Sequence, residues 1–192
     1  MEIQKLVLGS YQVNCYILIN GNRCVVIDPG YSPERILAHL QSKGLTPDAI
    51  FLTHCHFDHV GGVYPLAQAT NCRVYLNEKD LVLPKRLTKG DLFYTDLWKD
   101  GDTVTEAGLS FSILETPGHT PGSVCILCGQ ELFSGDTLFA GSCGRTDLPG
   151  GSAARMQESL ARLKALPGDY RVYPGHGDAT TLDEERLANP FL

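Results

Sequence analysis

The chain has 192 residues, of which 43% are hydrophobic and 20% charged, so it suits one compact domain and does not resemble a disordered chain. Sixteen basic and 22 acidic residues give a formal charge of −6, and no basic cluster stands out. Because phosphate groups are bound by clustered Lys and Arg, nucleic acids and anionic membranes are not expected partners. The N-terminus lacks a signal-type apolar core, and no run of about 18 apolar residues occurs, so we expect a cytoplasmic protein without a membrane span.

Apolar runs and alternation predict the strands in the first half of the chain. These predicted strands cover residues 3–8, 15–19, 23–27, 49–53 and 72–76. A turn at Asp28 follows the third strand. Ser32 is the predicted N-cap of a helix that has Pro33 at its first position and ends at Gly44. A second helix is predicted up to residue 69.

Residues 77–103 are polar and mixed, with a predicted short helix at 78–83. We interpret this stretch, which holds the only tryptophan (Trp98), as a surface excursion near the mouth of a site. The second half contains predicted strands at 109–114, 123–127, 131–133 and 170–173, and predicted helices at 153–165 and 182–187. This order predicts an α/β (α+β) architecture, with two sheets sandwiched between helices in a single domain of residues 1–192.

The seven cysteines are odd in number and mostly lie in apolar, strand-like runs. This usage is typical of reduced, buried thiols in a cytosolic protein. Cys125 and Cys128 have the spacing of a redox or zinc pair. No second pair completes a four-cysteine zinc site, and the surrounding residues are predicted as a buried strand, so we interpret both as core residues.

Five of the six histidines and two aspartates stand where predicted strands end. They are His54, His56, Asp58, His59, His119, Asp136 and His176. The first four come from the run T-H-C-H-F-D-H at residues 53–59. At a strand end, residues i and i+2 point the same way, so the first two histidines face one ion together, and the last two ligands face a second ion after the turn. Imidazole nitrogen and carboxylate oxygen are normal ligands of zinc, iron and manganese. His39, on a predicted helix, is interpreted as an ordinary surface histidine.

The T-H-x-H-x-D-H run, followed in order by the other three ligands, resembles the metallo-β-lactamase superfamily over nearly the whole chain. The resemblance implies a four-layer αββα sandwich with the site at one edge of the two sheets. It implies that one metal ion is bound by His54, His56 and His119. It implies that a second ion is bound by Asp58, His59 and His176, with Asp136 bridging the two. We expect two divalent ions, with zinc as the first choice and iron or manganese as alternatives.

Two stretches are similar to the glyoxalase II branch of hydroxyacylglutathione hydrolases. One is G-S-C-G-R at residues 141–145, followed by G-S-A at 151–153 and Met156, and the other is the closing N-P-F-L at 189–192, as in small single-domain proteins of this kind. They imply hydrolysis of a small-molecule thioester by a metal-bridging hydroxide, which two metals generate at neutral pH. By this resemblance Asp58 orients the hydroxide as the catalytic residue. Arg145 occupies the basic position that contacts glutathione, with a structural loop role as the alternative.

The sequence departs from the larger glyoxalase II enzymes in three places. Since 192 − 176 leaves 16 residues after the last histidine, no C-terminal helical substrate domain is expected. Asp147 and Asp178 stand where that branch often has an aromatic residue and a tyrosine. The sequence therefore favours thioester hydrolysis while leaving the thiol open. For Asp28, at a strand end, a turn role is preferred over a hydrogen bond to a metal ligand.

Two other functions are compatible with the ligand set. G-R-T-D at residues 144–147 is also similar to persulfide dioxygenases, which use a single iron on the same fold. The complete two-metal set and the G-S-A-x-x-M stretch favour the hydrolase. The other alternative is a non-catalytic metal-binding module, whose mark would be a substituted ligand, and none is seen. A nuclease would need further domains, and a β-lactamase an export signal. The oligomeric state stays open.

Overall fold

The structure is a computed structural model that describes residues 1–192, and most of its strands form two six-stranded sheets. The first sheet holds β1 to β6 in chain order. These strands are β1 (Glu2–Leu8), β2 (Val13–Asn20), β3 (Arg23–Ile27), β4 (Thr46–Phe51), β5 (Arg73–Asn77) and β6 (Asp96–Trp98). The first three strands are antiparallel, and β3 to β6 are parallel. Parallel strands end at the same edge, so the loops after β3, β4 and β5 lie side by side.

The second sheet has the order β14-β13-β10-β9-β8-β7. Its strands are β7 (Thr103–Glu106), β8 (Leu109–Glu115), β9 (Val124–Cys128), β10 (Glu131–Gly135), β13 (Arg171–Pro174) and β14 (Thr180–Thr181). A two-stranded ribbon consists of β11 (Leu138–Phe139) and β12 (Ser142–Cys143). Only β10 and β13 pair in parallel in this sheet. Their carboxyl ends therefore bring the segments that follow them together.

Helices cover the outer faces of both sheets. They are α1 (Pro33–Ser42), α2 (Phe57–Val60), α3 (Val63–Thr70), a short 3-10 helix (Glu78–Val82), α4 (Lys85–Thr88), α5 (Ala153–Lys164) and α6 (Leu182–Ala188). Buried residues of α1 and α3 pack on the first sheet, and those of α5 and α6 pack on the second. No helix of the structure combines the length and apolar character that crossing a bilayer requires.

Strand β2 shows how the layers arise. Its residues alternate in direction, because side chains of a strand point to opposite faces in turn. Cys15 and Ile17 pack under the first pair of helices, whereas Tyr16 and Leu18 pack between the two sheets. Three apolar clusters result, one under each helical layer and one between the sheets. The predicted four-layer αββα sandwich is confirmed.

The interpretation of residues 77–103 as a surface excursion is wrong for its last part. Trp98 ends β6 and is 2% exposed between the sheets. Its ring centroid lies 5.0 Å from that of Phe51 and 5.6 Å from that of Tyr75. A strand of three residues is too short for its apolar alternation to stand out from the polar residues around it.

The helix after the first parallel strand begins where predicted, but not by the predicted cap. Ser32 has φ 54°, and its side chain makes no capping hydrogen bond, so Pro33 alone marks the start. Side-chain caps occur instead at Ser152 for α5 and at Thr181 for α6. The last of these is a capping box, in which Glu184 bonds back to the cap residue.

The cysteines are unpaired, and all but Cys143 are buried. Cys125 and Cys128 lie on β9, as the interpretation as core residues requires. Cys125 packs under α5, whereas Cys128 packs between the sheets. The two thiols therefore occupy different layers, and this pair does not form a zinc or redox site.

Candidate metal centre

The carboxylate of Asp28 joins two strand ends at the site edge. Its Oδ1 accepts a hydrogen bond from the Thr53 backbone N–H at 2.9 Å, and its Oδ2 accepts one from the Thr53 hydroxyl at 2.6 Å. Oδ2 also accepts one from Nδ1 of His59 at 2.9 Å. The residue also makes a turn, with φ 51° and its carbonyl accepting from the Gly30 N–H at 2.8 Å. Asp28 therefore has both roles, the turn and the hydrogen bond to a candidate ligand, and the preference for the first over the second was wrong.

The structure brings together all seven side chains that the sequence singled out. They form three overlapping groups, in each of which the candidate ligand atoms lie within 4.8 Å of one another. The groups are His54, His56 and His119; His54, His59 and Asp136; and Asp58, His59 and His176. The first and third groups have the same members as the two ligand sets that the family resemblance implied. His39 lies on α1 and belongs to none of them.

Asp136 lies between the first and third groups. Its Oδ2 is 3.4 Å from Nε2 of His119 and 3.7 Å from Nε2 of His176. Its Oδ1 is 3.5 Å from Nε2 of His59. One carboxylate is therefore within reach of both ends of the cluster, as a bridging ligand must be.

Hydrogen bonds to ring nitrogens orient three of the imidazoles. Nδ1 of His59 donates to Asp28, Nδ1 of His119 donates to the Arg145 carbonyl at 2.7 Å, and Nδ1 of His176 donates to the Tyr11 carbonyl at 3.0 Å. Nδ1 carries the N–H in each of these bonds, so Nε2 is the nitrogen left for a metal ion, which binds the neutral form of the ring. In all three rings Nε2 faces the cluster.

The two histidines at the start of the run provide a test of whether the site fits a metal ion. Nε2 of His54 and Oδ1 of Asp136 are buried and have no hydrogen-bond partner, and Nδ1 of His56 lies 2.8 Å from Nε2 of His119. A buried polar atom without a partner is costly unless an ion or another group binds it. Burial lowers the pKa of His56 to about 4 and that of His54 well below its usual value. Both rings are therefore neutral near pH 7, which is the form that binds metal ions.

The carboxylates make the other end of the cluster favourable for a cation. Burial lowers the pKa of His59, but the charges of Asp28 and Asp136 more than offset it and raise the value to about 9. Burial raises the pKa of Asp58, but the hydrogen bond from His176 and the charge of His59 bring it to about 2. Positive charge is stabilised here, and the donor set of imidazoles and carboxylates fits a transition metal.

Glycines allow the backbone to approach the ligands. A Cβ on Gly175 would lie 2.3 Å from Oδ1 of Asp136 and 2.7 Å from Cε1 of His59. A Cβ on Gly144 would lie 1.8 Å from the Asp136 carbonyl oxygen, and one on Gly30 would lie 1.6 Å from that of Asp58. These distances are far below van der Waals contact, so a side chain at any of the three would displace a ligand.

The cluster opens into a cavity of about 410 Å³. Besides five of the candidate ligands, its lining consists of Tyr11, Phe57, Leu87, Leu148 and Arg145. The Tyr11 and Phe57 rings meet edge to face, with centroids 5.1 Å apart. Sequence reasoning missed the four apolar and aromatic members, because two lie in loops and two in helices of four residues, which are too short to give a periodic signal. Leu87, from α4, does support the placement of part of residues 77–103 near the site mouth.

A comparison with known protein families agrees with this geometry. The model of the metallo-beta-lactamase superfamily matches residues 8–176, which is most of the chain. The chain belongs to the metallo-β-lactamase superfamily. In a member of this superfamily, the buried histidine and aspartate cluster implies bound divalent metal ions.

Two relatives match the chain over its whole length. A probable metallo-hydrolase, YqgX of Bacillus subtilis, is 36% identical and covers 100% of this chain and 98% of its own. The hydroxyacylglutathione hydrolase GloC of Haemophilus influenzae is 34% identical over 100% of this chain and 98% of its own. The chain is thus a hydrolase-like, metal-binding superfamily member with glyoxalase II-like relatives.

Solved structures of the superfamily share the whole architecture. The B3 metallo-beta-lactamase BLEG-1 superposes with a TM-score of 0.90 at 37% identity, covering 100% of this chain and 99% of that one. TTHA1623 in a di-iron-bound form superposes with a TM-score of 0.87 at 43% identity, covering 98% and 100%. The metallo-β-lactamase fold is therefore shown, and at least one solved structure similar to this chain holds iron.

Arg145 lies at the rim of this superfamily site. Its Nε and Nη2 donate to the two carboxylate oxygens of Asp147, each at 2.7 Å. Both side chains are exposed. Arg145 also lines a second cavity of about 450 Å³, next to Met156 and Phe191. The edge of the guanidinium formed by Nε and Nη2 is thus already occupied by Asp147.

Proposed function

We propose that this protein hydrolyses a small-molecule thioester, with S-lactoylglutathione as the first candidate substrate. The observation that carries the proposal is the open cavity, which places the buried cluster of seven ligands beside an apolar rim. The relative named as a hydroxyacylglutathione hydrolase supports this class of substrate. We further propose that residues 1–192 catalyse the reaction without a separate helical substrate domain.

The proposed ligand assignment follows the geometry of the groups. His54, His56 and His119 would hold one ion, and Asp58, His59 and His176 a second. Asp136 would contact both, since its carboxylate lies between the two groups. Zinc is our first choice for both ions, and the di-iron form of a relative makes iron the main alternative.

The chemistry that divalent ions supply in such a site is Lewis acidity toward a carbonyl and a lowered pKa of water. Asp58 lines the cavity and stays ionised, since its pKa is about 2. Its carboxylate would orient the attacking water and accept a hydrogen bond from it. Nε2 of His176 lies 3.3 Å from Oδ2 of Asp58, a distance that suits two ligands of one ion.

The leaving group decides which ester the site suits. A thiol has a pKa of about 8.5, so it departs as the thiolate without a strong general acid. The cavity lining includes one hydroxyl, that of Tyr11, and the remaining polar members are candidate ligands and Arg145. The apolar rim of Phe57, Leu87 and Leu148 suits a small acyl group.

A second candidate is β-lactam hydrolysis, which is favoured by the similarity to BLEG-1, a B3 metallo-beta-lactamase. When a β-lactam ring opens, the leaving group is the ring nitrogen, which becomes an amine. It is a poorer leaving group than a thiolate and needs a proton. A third candidate is a persulfide dioxygenase that uses one iron and O2. Each of these reactions predicts a product that a thioesterase assay does not contain.

The test uses the purified chain, stripped of metal and reloaded with Zn²⁺, Fe²⁺ or Mn²⁺. Hydrolysis of S-lactoylglutathione is monitored by measuring the free thiol that it releases. His54→Ala removes one ligand, and His39→Ala removes the histidine that lies outside the cluster. We expect metal-dependent turnover that is lost in His54→Ala and kept in His39→Ala.

The alternatives give different results in the same preparation. Turnover of a chromogenic cephalosporin but of no thioester would establish the β-lactamase function. Oxygen uptake with glutathione persulfide, with iron at about one ion per chain, would establish the dioxygenase. Activity with none of these substrates in any metal form would overturn the enzyme assignment.

A further inference from the structure

A buried carboxylate outside the cluster connects two loops of the metal centre. Asp80, in the short 3-10 helix after β5, is 0% exposed. Its Oδ2 accepts hydrogen bonds from the Cys55 backbone N–H at 2.8 Å and from the Thr120 hydroxyl at 3.0 Å. Its Oδ1 accepts one from the Gly122 backbone N–H at 2.6 Å.

The partners of Asp80 are the neighbours of the candidate ligands. Cys55 lies between His54 and His56, and Thr120 directly follows His119. One side chain therefore joins both loops that carry the first ligand group, although β4 and β8, which precede them, belong to different sheets.

Hydrogen-bond donors surround this carboxylate. No ion pair to a lysine or arginine involves Asp80, and the charge of the His119 ring is a further influence that favours its ionised form. Burial raises its pKa, and the bonds from Thr120, Gly122 and Cys55 oppose that rise. A Cβ on Gly122 would lie 2.7 Å from Oδ1, so the chain uses a glycine where this contact is made. An apolar residue at this position would leave two buried backbone N–H groups without an acceptor and would take one acceptor from the Thr120 hydroxyl, so the carboxylate is needed where the two loops meet.

We propose that Asp80 is a positioning residue of the metal centre, which fixes the spacing between the loop of His54 and His56 and the loop of His119. The inference rests on the ligand assignment proposed above. It concerns the affinity and geometry of metal binding and does not depend on which substrate is turned over. Its removal should therefore change the bound metal before it changes anything specific to a reaction.

The test replaces Asp80 with asparagine and measures metal binding. Asparagine keeps the shape but has one acceptor oxygen, and its amide N–H2 would face an N–H or O–H donor. Glu131→Gln is the matched control, because Glu131 is a buried carboxylate at the start of β10 that binds Arg171 at 2.6 Å. Zn²⁺ affinity is measured by chelator competition, Co²⁺ geometry by its visible absorption, and stability by thermal denaturation of the metal-free protein.

We expect Asp80→Asn to weaken Zn²⁺ binding by about 10- to 100-fold and to alter the Co²⁺ spectrum. Glu131→Gln should leave the Zn²⁺ affinity and the Co²⁺ spectrum unchanged, even if its denaturation temperature falls as much as that of Asp80→Asn. Thr120→Val, which deletes one of the three bonds, should give a smaller loss. Ser123→Ala is its control, because the Ser123 hydroxyl bonds the Thr120 hydroxyl and accepts from the Thr120 N–H, and Zn²⁺ affinity should fall less in this variant than in Thr120→Val. This pair keeps the test decisive if Asp80→Asn does not fold.

A purely structural role gives the opposite pattern. Wild-type Zn²⁺ affinity and Co²⁺ spectrum in Asp80→Asn, with only a lower denaturation temperature, would overturn the inference. Lack of Co²⁺ binding by the wild-type chain would overturn the ligand assignment beneath it. Lack of thioester turnover by a wild-type chain that binds Zn²⁺ would instead contradict only the proposed function.

Discussion

Nδ1 of His59 lies 2.9 Å from Oδ2 of Asp28, and both side chains are buried. The same carboxylate accepts two hydrogen bonds from Thr53, the residue that begins the histidine-rich run. Asp28 therefore orients one candidate ligand and anchors the loop that carries three others. Asp80 holds the same loop from the side of Cys55. Asp28 thus contacts a ligand of the proposed second ion, whereas Asp80 contacts the residue between two ligands of the proposed first ion.

This difference in contacts predicts that Asp28→Asn weakens the binding of one metal ion more than that of the other. The amide would present its N–H2 group to N–H and O–H groups that now donate hydrogen bonds to Asp28. The His59 ring would therefore lose its fixed orientation. We expect the ion at Asp58, His59 and His176 to bind about 10- to 100-fold more weakly. Stepwise Zn²⁺ titration of the metal-free protein in a calorimeter measures this. An equal loss of affinity in both binding steps would contradict the prediction that Asp28 acts mainly on one ion.

The close backbone approach at Gly175 predicts a metal-binding defect in a folded protein. Gly175→Ala places a methyl group 2.3 Å from Oδ1 of Asp136, so the carboxylate must move. We expect Zn²⁺ affinity to fall by at least about tenfold. Gly129→Ala is the control, since nothing lies within 4 Å of its Cβ position, although its φ of +61° adds strain. Loss of Zn²⁺ binding in both variants would point to destabilisation rather than to the ligand.

The buried position of Trp98 predicts a large effect on stability. Trp98→Ala should lower the free energy of unfolding by about 3–5 kcal/mol, because it leaves a void between the sheets. Trp98→Phe should cost less than about 1.5 kcal/mol, since the indole Nε1 that it removes is buried without a partner. Urea denaturation of the metal-free protein checks both. A small loss in Trp98→Ala would place the residue outside the cooperative core.

The fold was predictable where elements were long or their ends were marked. Strands β2 and β3 are continuous apolar runs, and α5 shows a clear apolar stripe with Ser152 before it. Strand β6 was missed because three residues in a polar stretch give no period. It is held by pairing with β5 and by ring contacts with Phe51, which come from the tertiary structure.

The clustering of the seven candidate ligands was predictable, but their surroundings were less so. The ligands stand in a run and at strand ends, so their spacing carries information. Asp80 is an isolated acidic residue in a polar stretch, and only the fold brings it to Cys55 and Gly122. Tyr11 reaches the cavity from a turn and Leu87 from the four-residue helix α4, and nothing local marks them. The identity of the metal ions stays a prediction, since His and Asp suit several.

The chemistry of the leaving group predicts the result of Tyr11→Phe. The Tyr11 hydroxyl is the one neutral acid among the residues that line the cavity. If a thiolate leaves, it needs no proton, so kcat on a thioester should stay within about twofold of the wild-type value. A general acid contributes about 10²- to 10⁴-fold, so a loss of that size would assign proton donation to Tyr11 and argue against a thiolate leaving group. Tyr64→Phe is the control, because the Tyr64 side chain is exposed on α3.

The ion pair between Arg145 and Asp147 predicts a change in substrate preference. Asp147 occupies the Nε–Nη2 edge of the guanidinium, at 2.7 Å for each oxygen, and its charge competes with a substrate carboxylate for Arg145. Asp147→Ala should therefore lower KM for S-lactoylglutathione by about 3- to 10-fold, with kcat unchanged. Arg145→Ala should raise that KM.

A thioester whose thiol carries no carboxylate is the matched substrate for this experiment. Its KM should change in neither variant, because it does not need the guanidinium. If Asp147→Ala lowers KM for both substrates alike, the aspartate acts by blocking access to the cavity. If Arg145→Ala leaves KM for S-lactoylglutathione unchanged, Arg145 is a structural loop residue, bound to Asp147 and, through its carbonyl, to His119.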